Sequence, residues 1–167
     1  GTATQDIVIT VTGTNDTPVI ELLDGNGTDV PADSEAADLV ESDIGLAASG
    51  TWTVTDLDLS DTVSFTTTDV EISTTNEAVL EFLPSKEELM AMMAADPTDA
   101  TPGNQHNVTW NFNSDTQAFN HLAEGESLVL TYTVLADDGH GGTTDEEVTI
   151  TITGTNDAPV ITLEEGD

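Results

Sequence analysis

The side chains in this chain with most capacity for chemistry are carboxylates gathered at turns. Asp56-Leu57-Asp58-Leu59-Ser60-Asp61 follows one alternating apolar run, Asp137-Asp138-Gly139 follows another, and Asn15-Asp16 and Asn156-Asp157 stand in short turn-rich segments. Hard oxygen donors at strand ends suit calcium, which takes roughly six to eight oxygens in a flexible geometry. Zinc is a poor fit, since it favours thiolate and imidazole ligands and the chain has no cysteine. Asp and Asn are also ordinary turn formers, so the informative question is whether these separate segments meet in space.

The charge balance points the same way. Thirty-three Asp and Glu face one basic residue, Lys86, for a formal net charge of −32. Phosphate backbones and anionic membranes are bound through Lys and Arg, so nucleic acid and direct membrane insertion are excluded as partners. Divalent cations, a salt-rich environment or plain charge dilution over a well-hydrated surface could offset such repulsion, and the turn motifs favour cations. Without cysteine there is no disulfide framework, and calcium is the candidate for extracellular stability. The sequence contains neither a signal-peptide pattern nor an apolar run of about eighteen residues.

Catalytic patterns are missing from the sequence: it has no HExxH or GxSxG signature and no cysteine nucleophile. His106, His121 and His140 are scattered and read as surface or turn residues. The expectation is a protein that is not an enzyme.

The elements that must position the carboxylates are mostly strands. Apolar alternation runs through Thr51–Val54, Val63–Thr67, Val79–Leu83, Val108–Phe112, Leu128–Leu135 and Val148–Thr153. In the last of these Val148, Ile150 and Ile152 are expected to face a core, with the intervening threonines toward water. Trp52 and Trp110 fall on core-facing positions. Ser85 and Glu88 form a capping-box pattern ahead of LMAMMAA, closed by Asp96-Pro97, which predicts a short helix packed on a sheet through Leu89, Met92 and Met93.

An internal repeat sets the boundaries. ITVTGTNDTPVI at Ile9–Ile20 returns as ITITGTNDAPVI at Ile150–Ile161, an offset of 141 residues between positions 9 and 150. The reading is therefore the last strand of a preceding repeat, or an N-terminal strand equivalent, over 1–14, a linker at 15–18, a complete β-sandwich repeat over 19–155, and an exit linker with the start of a next repeat over 156–167. In a seven-stranded sandwich whose second strand is Thr51–Thr55, strand parity brings Asp56, Asp58, Asp61, Asp137 and Asp138 to the same end as Asn15-Asp16. That end is an expected interdomain calcium site.

ASGTWTVTDLDLSDTVSF, LAEGESLVLTYTVLADDGHGG and VTITITGTNDAPV, in this order, resemble the VCBS repeat of bacterial RTX-type adhesins, over roughly residues 37 to 161. The Asn-Asp-X-Pro linker and Asp56-Leu57-Asp58 are also similar to the calcium-binding motifs of cadherins. The resemblance implies an all-β, immunoglobulin/cadherin-like sandwich with one short inserted helix, joined end to end with neighbouring repeats of the same chain and stiffened by Ca2+. It further implies type I secretion, display on the bacterial cell surface, and Glu41 as an additional ligand. The stretch Ser85–Gln105 departs from the pattern as an insertion. The expected function is a calcium-stabilised extender repeat, monomeric as a module, that projects an adhesin's binding region from the cell. The alternative is a calcium-dependent module that itself binds a surface glycan or protein, for which an exposed Trp52 or Trp110 would be the sign.

Overall fold

A computed structural model describes residues 1–25 and 32–159. The strands are β1 (Val19–Glu21), β2 (Ala36–Val40), β3 (Ala47–Thr55), β4 (Ser64–Thr74), β5 (Met93–Ala95), β6 (Val108–Asn113), β7 (Ser127–Asp137) and β8 (Thr143–Thr153). They form two four-stranded sheets, β1-β3-β6-β5 and β2-β8-β7-β4, an all-β sandwich with the strand order of an immunoglobulin-type domain. All pairings are antiparallel except β2 with β8.

Alternation explains why the two sheets stack. On β7 Leu128, Leu130, Tyr132, Val134 and Ala136 are fully buried, as are Val148, Ile150 and Ile152 on β8, while the threonines between them face outward. Trp52 and Val54 of β3 and Val108, Trp110 and Phe112 of β6 close the core from the opposite sheet. Period-two burial of this kind leaves one register per strand, because a one-residue slip would expose every apolar side chain.

Among the described residues there are eight strands where seven were expected, because the first strand is divided. β1 runs antiparallel to β3, and β2 runs parallel to β8 in the other sheet. Both halves point the same way, so β3 keeps the direction expected of a second strand. Asp33 and Ser34 bridge the halves: Leu23 N donates to the Asp33 carboxylate at 3.1 Å, and Ser34 N to Thr51 O at 3.0 Å.

Two local expectations change. Val79–Leu83 is not a strand. Residues Glu77–Phe82 form a 3-10 helix capped by the Asn76 side chain, which accepts from Ala78 N at 3.1 Å; a short apolar run cannot by itself separate the two outcomes. The predicted helix is present as α1 (Lys86–Met90), with its Ser85/Glu88 capping box formed, but it ends early. Met93–Ala95 instead adds to β6 as β5, since the free edge of β6 offers backbone partners that another helical turn would leave unmet. Leu89 is buried from the helix as expected, whereas Met93 is buried from β5 and Met92 is half-buried between them.

Residues 1–18 belong to no strand. Ile7, Val8, Ile9 and Val11 are between 81% and 88% exposed, whereas the matching positions on β8 are enclosed between β2 and β7. Of the expected exit linker and start of a next repeat, 156–167, residues 160–167 lie outside the described residues.

Candidate metal centre at the leading pole

The ends of the sandwich are chemically different. The leading pole gathers Asn15–Pro18, the β3–β4 loop and the β7–β8 loop, and the trailing pole gathers the β2–β3 loop, the segment after β6 and the chain leaving β8. Strand direction alone dictates this grouping.

At the leading pole the β3–β4 loop is folded by its own carboxylates and by a backbone turn. Asp58 N donates to Asp56 Oδ1 at 2.9 Å, Asp61 N to Asp58 O at 2.9 Å, and Ser60 Oγ to Asp61 Oδ1 at 3.1 Å. Such Asx-type turns form readily from this composition. The insertion braces the loop from outside: Asp56 N donates to Ala100 O at 2.8 Å, and Val63 and Thr98 exchange backbone hydrogen bonds of 2.8 and 3.0 Å. Ala100 reaches that position at φ 49, a left-handed conformation unusual outside glycine. Strain held in place by surrounding packing is a common mark of a built site.

The β7–β8 loop supplies Asp138. His140 N donates to its Oδ1 at 2.7 Å and Gly142 N at 3.0 Å, while Asn15 Nδ2 donates to Oδ2 at 2.9 Å. The Asn15 hydrogen bond is the largest influence on this carboxyl; burial pushes it upward, and the backbone donors add to the net lowering of its pKa. Gly142 is required by space, because a Cβ there would collide with the Asp138 carboxylate and approach Thr17 Cα to 2.9 Å.

Asp56, Asp61 and Asp138 thereby converge, with one carboxylate oxygen from each lying within 4.8 Å of the others. They are 2%, 6% and 2% exposed. Oxygens sharing one calcium at about 2.3–2.6 Å are separated by at most roughly 5 Å, so the spacing fits. Asp56 Oδ2 is buried and has no hydrogen-bond partner, so one carboxylate oxygen of a cluster residue is left without a donor, at a cost to the fold. Half-buried Asp58 joins from the rim by accepting Asp16 N at 2.6 Å. The single Lys, Lys86, is engaged with Asp69 on β4; among the described residues the basic group beside the cluster is His140, whose Nδ1 lies 3.1 Å from Asp61.

Of the sequence candidates, Asn15, Asp16, Asp56, Asp58, Asp61 and Asp138 are brought together. Asp137 is not: its carboxylate accepts from Gly139 N at 2.7 Å and serves the turn. Glu41 stands at the trailing pole, buried to 4% exposure, with Oε1 accepting Thr155 N at 2.9 Å and the Thr155 hydroxyl. Asn156 and Asp157 follow it, exposed. Sequence reasoning missed Gly142, His140 and the bracing Ala100. An Asp-Gly-X-Gly-Gly run after a strand was the available sign for the first of these.

Both tryptophans are fully buried. No protein-family model matches the chain, and no curated protein matches it. Among solved structures the chain is similar to AggA, the major subunit of the aggregative adherence fimbriae type I of Escherichia coli, with 11% identity and a TM-score of 0.42 over 87% of this chain and 100% of that one. It is also similar to the MSCRAMM ACE of Enterococcus faecalis, with 14% identity and a TM-score of 0.23 over 86% and 61%. Neither likeness reaches a level from which a shared function follows.

Proposed function

We propose that this chain is a non-catalytic, calcium-stabilised extender repeat of a large secreted or cell-surface bacterial adhesin. The observation that carries the proposal is the unpartnered, buried Asp56 Oδ2 within a three-carboxylate cluster that the linker residues Asn15 and Asp16 cap. The internal repeat and the resemblance to VCBS repeats support the tandem arrangement. In that arrangement Asp56, Asp58, Asp61 and Asp138 would hold Ca2+, with Asn15-Asp16 completing the shell, and binding would fix the linker to the sandwich. Glu41 would anchor the chain at the next junction.

A structural role also suits the groups outside the cluster. His106 Nδ1 contacts Asp33 at 2.7 Å, but the Thr51 and Thr53 hydroxyls both donate to the carboxylate at 2.8 Å rather than to the imidazole. No nucleophile is activated there. The alternative of a glycan-binding module loses its most direct support, since neither Trp52 nor Trp110 offers a stacking face.

The test is a calorimetric calcium titration combined with melting curves in calcium, magnesium and sodium chloride of matched ionic strength. Saturable heats with a calcium-specific rise in Tm are expected. A rise that sodium reproduces would reduce the carboxylates to charge screening and sink the cation site.

A further inference from the structure

We infer that successive copies of this unit meet through a direct apolar contact, in which Ile44 and Phe82 at the trailing pole of one copy pack against Leu57 and Leu59 at the leading pole of the next. The inference rests on the tandem reading above and adds to it a docking surface with a single occupant, a second copy of this chain's own fold.

The grip on the linker forces the two poles together. At the trailing pole Thr155 is held by Glu41 through its N–H and its hydroxyl. At the leading pole Asn15 and Asp16 are held by Asp138 and Asp58. Asn156 and Asp157 are the repeat equivalents of Asn15 and Asp16, so in an array Thr155 is bound to one copy and the very next residue to the following copy. Adjacent Cα atoms are about 3.8 Å apart, which leaves no room for a spacer between the poles.

Apolar side chains stand beside each grip. Leu57 and Leu59 flank Asp58, the residue that accepts Asp16 N, and are 70% and 73% exposed. Ile44 follows Glu41 by three positions and is 73% exposed. Phe82 is 64% exposed and lies on the same pole, its ring 5.9 Å from that of His121. In a chain of net charge −32 these side chains interrupt otherwise acidic loops. Large exposed apolar groups at a forced contact are what an interface core requires. The surfaces differ, so the contact is head-to-tail and repeats from one copy to the next, unlike the self-complementary contact of a two-fold dimer.

The experiment uses two copies of the whole chain fused so that Gly154-Thr155-Asn156-Asp157 of the first replaces Gly13-Thr14-Asn15-Asp16 of the second. Spin labels on β4 of each copy report the distance distribution between copies at saturating calcium. A narrow distribution is expected for the parent, and loss of that narrow distribution for Ile44→Ser in the first copy or for Leu57→Ser with Leu59→Ser in the second. Serine adds no charge beside the carboxylates. In the single chain the same variants are expected to keep the parent's Tm and calcium heats, which separates interface loss from misfolding. Unchanged distributions in both variants, with calcium bound, overturn the inference. Absence of calcium heats in the single chain overturns the proposed function and leaves the apolar contact to be judged on the distance distributions alone.

Discussion

At the level of single residues, the proposed cation site sets folding against binding at Asp56. Three buried carboxylates held within 4.8 Å repel one another until a cation arrives, and removing one charge relieves that repulsion. Asp56→Asn is therefore expected to raise Tm in chelator and to abolish the rise on adding calcium. Were calcium bound with an extracellular-type dissociation constant of about 0.1–1 mM, 10 mM of it would stabilise the parent by about 1.4–2.7 kcal/mol, and this is the increment the variant would lose. Melting curves with and without calcium check both signs. Asp33 behaves oppositely, since its charge is wanted. Burial pushes its pKa up, but hydrogen bonds from Thr53, His106, Thr51 and Leu23 N outweigh that and hold it below 3.8. A lowered carboxyl stabilises the fold at higher pH and ceases to do so as pH falls through its folded value, so this contribution starts to fade near pH 3.8 and is gone once the pH lies below the folded value. Asp33→Asn should cost about 1–3 kcal/mol at neutral pH and flatten the loss of stability in acid, as read from denaturant midpoints against pH. The leading-pole carboxylates were legible because strand parity follows from counting alternating runs. Asp33 was not, because its partners Thr53 and His106 are 20 and 73 residues away, and no spacing rule connects them.

At the scale of the element, length decided what could be read. The eleven-residue strands β7 and β8 show enough period-two alternation to settle type and facing. β1 and β5 have three residues each, too few to display a period, and their identity depends on which sheet edge lies beside them. The same dependence turned Val79–Leu83 from an expected strand into a 3-10 helix and shortened α1 in favour of β5. The seam between β2 and β8 carries a testable liability. Glu146 on β8 has its pKa raised above 4.5 by burial first and by neighbouring Glu35 second. An acid whose folded pKa is raised opposes folding when ionised, so the penalty is absent below pH 4.5 and complete once pH exceeds the folded value. Glu146→Gln should therefore stabilise the protein at neutral pH, with the gain fading as pH drops toward 4.5. Denaturant midpoints at pH 7.5 and about pH 4, compared between parent and variant, show whether the gain depends on pH in this direction.

For the whole molecule, the question is which residues belong to the folding unit. The first strand-like segment, Ile7–Val11, has the same apolar parity as Val148–Ile152, yet one copy is exposed above 80% and the other is fully buried. Sequence alone cannot separate them, because burial comes from β2 and β7, which flank only the second copy. A strand without neighbours gains no ladder and no core, so residues 1–13 should contribute almost nothing to stability. Asn15 and Asp16, in contrast, are tied to Asp138 and Asp58 and in the proposed function complete the cation's shell. Two truncations divide these roles. Deleting 1–13 should leave Tm in chelator and the calcium response within about 0.5 kcal/mol of the parent, as for other surface changes. Deleting 1–17 should also leave the sandwich folded in chelator but remove most of the calcium-dependent rise, because the ion would lose the linker that completes its shell. Equal calcium responses in the two truncations would place the binding shell entirely within the sandwich and free the linker from the cation.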